Sequence, residues 1–187
     1  YTISGGSTYD IVGTVSGTSI SYGTRVAISG VGGQNLAATF DSNAGKVVIN
    51  FRDSNASDAS FAVVATVSGT SISFGTPQKY SDTTYTHPTI TFDSNSNVIV
   101  IAALNNTSPY DGDYIIGIVS GDTISFNSPV QYNSGYATYN VSTFDSGQNT
   151  VVIAYKDGGD SNYGRARGLQ ITGAYPNLVP NTTYYVQ

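Results

Sequence analysis

An all-β fold assembled from copies of one 52-residue unit is what this sequence predicts, and three observations predict it. The first is spacing. Gly17, Gly69, Gly121 and Gly173 step by 52, and so do Thr39-Phe40-Asp41-Ser42, Thr91-Phe92-Asp93-Ser94 and Thr143-Phe144-Asp145-Ser146. A period in this range marks one supersecondary unit copied and stacked. The second is texture: short β-branched and aromatic runs alternate with small polar residues, the pattern of half-buried strands. The third is that no segment carries a capped 3.6-residue period, so no helix is expected.

Each unit reads as a four-strand antiparallel meander, a to d. Phe61 to Val67 forms strand a, Ser68-Gly69-Thr70 a turn, and Ser71-Ile72-Ser73-Phe74 strand b. Thr89-Ile90-Thr91-Phe92 forms strand c and leads into the turn Asp93 to Asn97. Val98 to Ala103, almost wholly apolar, reads as a fully buried strand d. The units fall at about 9–60, 61–112 and 113–164, with a partial copy over 165–173, so the repeat domain is 1–173. Residues 174–187 read as a connector to a following module, and Tyr1 to Gly6 as one more strand.

Ile20, Ile72 and Ile124 each precede an aromatic residue (Tyr22, Phe74, Phe126) by two positions, which puts each pair on one face of strand b, toward the core. Val48/Ile49, Val100/Ile101 and Val152/Ile153 do the same for strand d. Gly13, Ala65 and Gly117 are small, and would let the a strands crowd together as the innermost strands of a β-propeller must. Arg165 to Gly173 aligns with strand a but brings Arg167 where the previous copy has Ile115, which suits a cap or an exposed edge. The expected architecture is therefore β-propeller-like. Because a closed propeller has about four to eight blades, a trimeric β-prism or another fibre repeat array is the alternative.

Composition excludes several functions. Only 10% of residues are charged and the net charge is -5, which leaves no basic face for nucleic acid or an anionic membrane. No apolar run is long enough to span a bilayer, and membrane insertion is not expected. Cysteine is absent, so disulfide and thiolate chemistry are too. A surface of Ser, Thr, Asn, Tyr and Gly suits an extracellular or virion-surface protein. The lack of an initiator Met reads as a fragment or a processed product.

The units have one constant end and one variable end. The a–b and c–d turns barely change between copies, whereas the b–c and d–a loops differ in length and chemistry. A rigid scaffold with variable loops at one edge is the usual form of a recognition surface. Candidate ligand-binding residues are Asp82, Tyr85, His87, Tyr110, Asp111, Asp113, Tyr136, Tyr139, Asp160 and Tyr163. Tyrosine offers large contact area at low entropy cost, and aromatic faces beside Asp and Asn suit sugars. The loop acids sit at short spacings: Asp53 and Asp58, Asp111 and Asp113, Asp157 and Asp160. Calcium is the alternative reading of these oxygen-rich loops, but the closing bidentate Glu of a calcium loop is missing and ordinary turn chemistry accounts for them. No cofactor is expected. A glycosidase would need two carboxylates at a defined separation, and acids that recur with the repeat read as scaffold. His87, with no Cys and no acid-rich partner nearby, is not read as a metal ligand or triad member.

The unit running from Val119-Ser120-Gly121-Asp122 through Ser142-Thr143-Phe144-Asp145 to Val151-Val152-Ile153-Ala154-Tyr155 resembles the tandem repeats of bacteriophage tail-fibre and adhesin-like proteins of marine type. The ending Leu178-Val179-Pro180-Asn181-Thr182-Thr183-Tyr184-Tyr185-Val186-Gln187 resembles a connector module in the same fibres. The resemblance implies an elongated, usually trimeric virion appendage that contacts the host surface, with glycan as the expected ligand. It brings no catalytic residues. A purely structural fibre subunit and a propeller glycosidase acting on surface polysaccharide are the alternatives.

Overall fold

The computed structural model describes Thr2–Ile3, residues 7–171 and Val179–Tyr185, the first and last of these as backbone only. The chain is all-β, in several small antiparallel sheets, none closed. β1 (Thr2–Ile3), β2 (Ser7–Asp10) and β5 (Val26–Ile28) form the first sheet, and the hairpin of β3 (Gly13–Ser16) and β4 (Ser19–Tyr22) sits beside it. The second sheet runs β6 (Gly33–Asp41), β7 (Lys46–Asp53), β8 (Ala59–Ser68), with β9 (Ser71–Phe74) and β10 (Gln78–Ser81) both on β8. The third repeats this plan with β11 (Tyr85–Asp93), β12 (Val98–Asn105), β13 (Gly112–Ser120), β14 (Thr123–Phe126) and β15 (Val130–Asn133). The fourth holds β16 (Ala137–Asp145), β17 (Thr150–Asp157), β18 (Tyr163–Gln170) and β19 (Val179–Tyr185).

Two features depart from the meander read off the sequence. The sheets run c-d-a-b, so each straddles two sequence units, and strand b is broken into two pieces. The breaks fall at Gly23-Thr24-Arg25, Gly75-Thr76-Pro77 and Asn127-Ser128-Pro129. In the last two, proline cannot donate to the ladder; the first breaks without one, and in all three the residue that opens the break donates back to strand a (Gly23 to Val12, Gly75 to Val64, Asn127 to Ile116). The stretch expected as a connector carries β19, which pairs with β18 from Arg165↔Tyr185 to Gln170↔Val179. Arg165 to Gln170 is therefore not an exposed edge but a strand flanked on both sides. Arg167 satisfies its guanidinium by donating to the Tyr132 carbonyl of the third sheet at 2.9 Å. Within the stretch expected as one more N-terminal strand, Thr2–Ile3 pairs with β2.

The core lies between consecutive sheets. Ile28 and Val31 meet Ile49, Phe51 and Val63 between the first and second. Val48 and Val64 meet Ile99, Ile101, Ile115 and Ile124 between the second and third. Val100, Ile116 and Tyr132 meet Ile153, Tyr155 and Leu169 between the third and fourth. The strands that approach across the sheets are β6, β11 and β16, the c strands. The expectation that small residues let the a strands crowd is thus overturned. Gly13, Ala65 and Gly117 instead stand directly opposite Tyr22, Phe74 and Phe126 in their own hairpins. A side chain at Gly117 would meet Ile124 and Phe126 at 2.6 and 3.0 Å. The small residue makes room for the aromatic ring that lies over it.

Two further devices hold sheet to sheet. Thr8 Oγ1 accepts the Gly33 amide at 2.6 Å, and Ser60 Oγ accepts the Tyr85 amide at 3.2 Å, each capturing the start of the next sheet. At the opposite edge, the next sheet's a–b turn presses onto a glycine. A Cβ on Gly23 would lie 2.1 Å from the Thr70 carbonyl oxygen, and one on Gly75 1.9 Å from that of Asp122.

Candidate functional site

Strand register puts the c–d and a–b turns at one edge of the sheets and the d–a loops and inter-sheet connections at the other. The variable edge carries a feature that the loops alone do not explain. All three c strands bulge near it, with register slips between Gln34 and Ala37, Thr86 and Thr89, and Thr138 and Val141. In each bulge one non-glycine residue is left-handed: Asn35 (φ 52°), His87 (φ 51°) and Tyr139 (φ 54°). A bulge re-aims a side chain, and left-handed backbone outside glycine costs about 1–2 kcal/mol. All three side chains are exposed, and they stand at the same repeat position on adjoining strands.

A buried amide holds two of these bulges in place. Asn140, next to Tyr139, donates to the carbonyls of Ala137 and His87, each at 3.0 Å. Its own oxygen accepts the Tyr132 hydroxyl at 2.6 Å. One side chain thereby fixes the bulge of the fourth sheet and reaches across to that of the third. Burial pushes the Tyr132 phenol well above its ordinary range, so it stays a donor. Above this network the His87 and Tyr139 rings lie 5.2 Å apart, and the Lys156 ammonium lies 5.9 Å from the Tyr139 ring. A second aromatic group flanks them: Tyr110 stacks on Tyr136 with centroids 4.8 Å apart and planes 13° from parallel.

The ten residues singled out from the sequence separate into three groups. His87, Tyr110, Tyr136 and Tyr139 come together as two ring pairs, and Tyr163 is exposed at the start of β18. Tyr85 and Asp113 are buried, and the Tyr85 hydroxyl donates to Asp113 Oδ2 at 2.7 Å. They pin two strands of the third sheet and offer nothing to a ligand, which corrects their place in the set. Asp82 is exposed and ion-paired with Lys79, whereas Asp160 is tied to Arg165. Asp111 is half-buried, with Oδ1 turned inward and without a hydrogen-bond partner among the described residues.

The recurrent loop acids serve the backbone. Asp53 Oδ1 accepts the amides of Gly32 and Asn55, each at 2.9 Å. Asp157 Oδ1 accepts the Gly159 amide at 2.9 Å and the Asn133 side chain at 3.2 Å, with Arg165 Nε 3.2 Å from its other oxygen. Asn35, Asn140 and Lys156 escaped the sequence reading. The signal was present in part: Asn35, His87 and Tyr139 are 52 apart and chemically unlike, but they fall within strands, where difference reads as drift.

Among the described residues the edge so built offers flat aromatic faces, an imidazole, an amide and an ammonium on an open surface. It suits an extended, hydroxyl-rich partner lying across several strands. Comparison with family models, curated proteins and solved structures gives no match to this chain.

Proposed function

We propose that this chain is a non-enzymatic adhesive module that holds a glycan across the variable edge of a propeller-like stack of sheets. The observation that carries the reading is the row of left-handed bulges, which costs stability in order to aim Asn35, His87 and Tyr139 outward. Aromatic faces stack on the apolar faces of sugar rings, and Asn and His supply hydrogen bonds to hydroxyls. The resemblance of the repeat unit to phage tail-fibre repeats supports a place on the virion or another extracellular surface, with host glycan as partner. The acids do not favour a hydrolase, since Asp113 is bonded to Tyr85 and Asp157 and Asp160 are held by Arg165.

The test is a glycan array on the purified chain, followed by titration calorimetry of any hit with wild type, Tyr139→Ala and Tyr110→Ala. Specific binding that both substitutions weaken about tenfold (~1.4 kcal/mol) is the expected result. No binding to any glycan, or binding that neither substitution disturbs, would remove the reading.

A further inference from the structure

Every internal interface of this molecule joins an outgoing face of one sheet to an incoming face of the next. The incoming face of the third sheet presents Ile115, Val119, Ile124 and Phe126 to the second sheet. That of the second presents Val63, Ile72 and Phe74 to the first, with Val67 on the same face. Their counterparts one repeat earlier are Ile11, Val15, Ile20 and Tyr22. Ile20 and Tyr22 were expected in the core, yet they are 55 and 66% exposed, and Val15 beside them is 70% exposed, with no sheet among the described residues packed over them; Ile11 instead lines a cavity with Ile49, Val67 and Ile72 of the second sheet. At the other end, Val48 and Val100 are fully buried on outgoing faces, whereas their counterpart Val152 is only half-buried. Val141, which corresponds to the core-packed Ala37, is 62% exposed. Val15, Ile20 and Tyr22, three large apolar side chains exposed on one hairpin, are more than a lone surface residue would explain.

We infer that the exposed apolar face of the β3–β4 hairpin receives the outgoing face of the fourth sheet of a second copy of this chain, head to tail. The argument is continuity with an established interface: the two open faces are the same two surfaces, one repeat removed, that already mate inside the molecule. Ile20 and Tyr22 stand on the incoming side and the smaller Val152 and Ala154 on the outgoing side, as at the interface of the second and third sheets, where Val48, Ala62 and Val64 receive Ile99, Ile115 and Ile124. Val15, Ile20 and Tyr22 on one face and Val141 on the other are all exposed in one molecule, so the two do not cover each other. The contact is heterologous: it closes into a ring where the rotation per chain allows and otherwise propagates as a filament. It does not depend on the glycan reading. Because each copy carries a net charge of -5, association strengthens as salt screens the repulsion between copies.

Sedimentation velocity of the whole chain, over a wide range of concentration and salt, tests this. The expected result is reversible association that strengthens with salt. Val15→Asp blocks one face and Val141→Asp the other, so each weakens self-association about tenfold or more. Both sites are exposed, and a circular dichroism melt checks that each variant folds; Tyr22→Ser serves if Val15→Asp does not. The decisive step is mixing. Val15→Asp keeps a sound outgoing face and Val141→Asp a sound incoming one, so the mixture forms a heterodimer and stops there. A wild-type chain that stays monomeric throughout would overturn the inference, as would a mixture that stays monomeric or association that neither variant weakens.

Discussion

The two edges of the sheets are made by the same strands and solve opposite problems. At the constant edge each c–d turn is closed by one aspartate: Asp41, Asp93 and Asp145 accept two amides apiece at 2.9 to 3.2 Å. The a–b turns there place Gly17, Gly69 and Gly121 at φ 60°, and two of these turns press on a glycine of the preceding sheet. Lys46 donates to Asp122 and to Thr66 at 2.7 and 2.6 Å, and its ammonium holds the Asp122 carboxyl below its usual value. At the variable edge the backbone is satisfied from within, by Asn140, Asp53 and Asp157, and the outward side chains differ from copy to copy. Where a neighbouring sheet occupies the space, one solution repeats; where the bulges turn side chains to open space, identity is free to vary.

The sharpest way to break this comparison is to put a methyl group at the crowded edge. Gly75→Ala places Cβ 1.9 Å from a backbone oxygen that no side-chain rotation can move. Two sheets must shift, and the expected loss is about 3 kcal/mol, read by urea unfolding. Gly164, near the other edge, has nothing within 4 Å of the same position. Gly164→Ala is expected to gain about 0.5 kcal/mol by stiffening the unfolded chain. Equal effects at the two glycines would mean that the constant edge is not packed against its neighbour.

Alkaline unfolding probes the interfaces between sheets. Burial pushes the phenols of Tyr80, Tyr85 and Tyr132 far up, and that of Tyr114 up to about 12. The unfolded value is about 10, so above it the unfolded chain has released protons that the folded chain still holds. Stability is therefore complete below about pH 10 and is lost as pH rises toward 12 and beyond, by about 1.4 kcal/mol per pH unit for each such tyrosine. Tyrosinate absorbance should show a late phase that coincides with loss of the β-sheet signal. A single smooth titration of all 15 tyrosines, with no linked unfolding, would contradict their burial.

Much of the scaffold was legible because it repeats. Thr-Phe-Asp-Ser announced the c–d turns, and the spacing of Ile before Phe announced strand b, since short-range patterns encode local geometry directly. What could not be read depended on contacts between units. The pairing order c-d-a-b and the seat of Asp122 on Gly75 are tertiary facts without a local signature. Burial of Tyr85 and Asp113 followed from each finding the other, which a loop reading had no means to see. The exposure of Ile20 and Tyr22 was misjudged because the repeat describes what a unit is built to face, and says nothing about whether a given copy has that neighbour.

The polar clamp separates scaffold from site. Asn140→Ala removes two donors and an acceptor at once, and leaves the Tyr132 hydroxyl and the His87 and Ala137 carbonyls unsatisfied. A loss of about 2 kcal/mol follows. Asp145→Ala at the constant edge removes the acceptor of two amides from an exposed turn and should cost about 1 kcal/mol. Paired melts of the two variants rank them. If Asn140→Ala were the milder of the two, the bulges would not depend on the network assigned to them.

The smallest effect on stability carries the most information. Tyr139→Gly removes the ring from a residue at φ 54°, where glycine relieves about 1 kcal/mol of backbone strain. Against that, the variant loses the exposed contacts with His87 and Lys156, worth about 0.5–1 kcal/mol together. The two terms nearly cancel, so the melting curve should barely move. Glycan affinity, by contrast, should fall at least as far as in Tyr139→Ala, since the ring and the aim of the strand are lost together. A stable variant that no longer binds shows that the bulge is kept for recognition. A marked loss of stability would mean instead that Tyr139 closes the inner edge of the sheets, and that its exposed ring is structural.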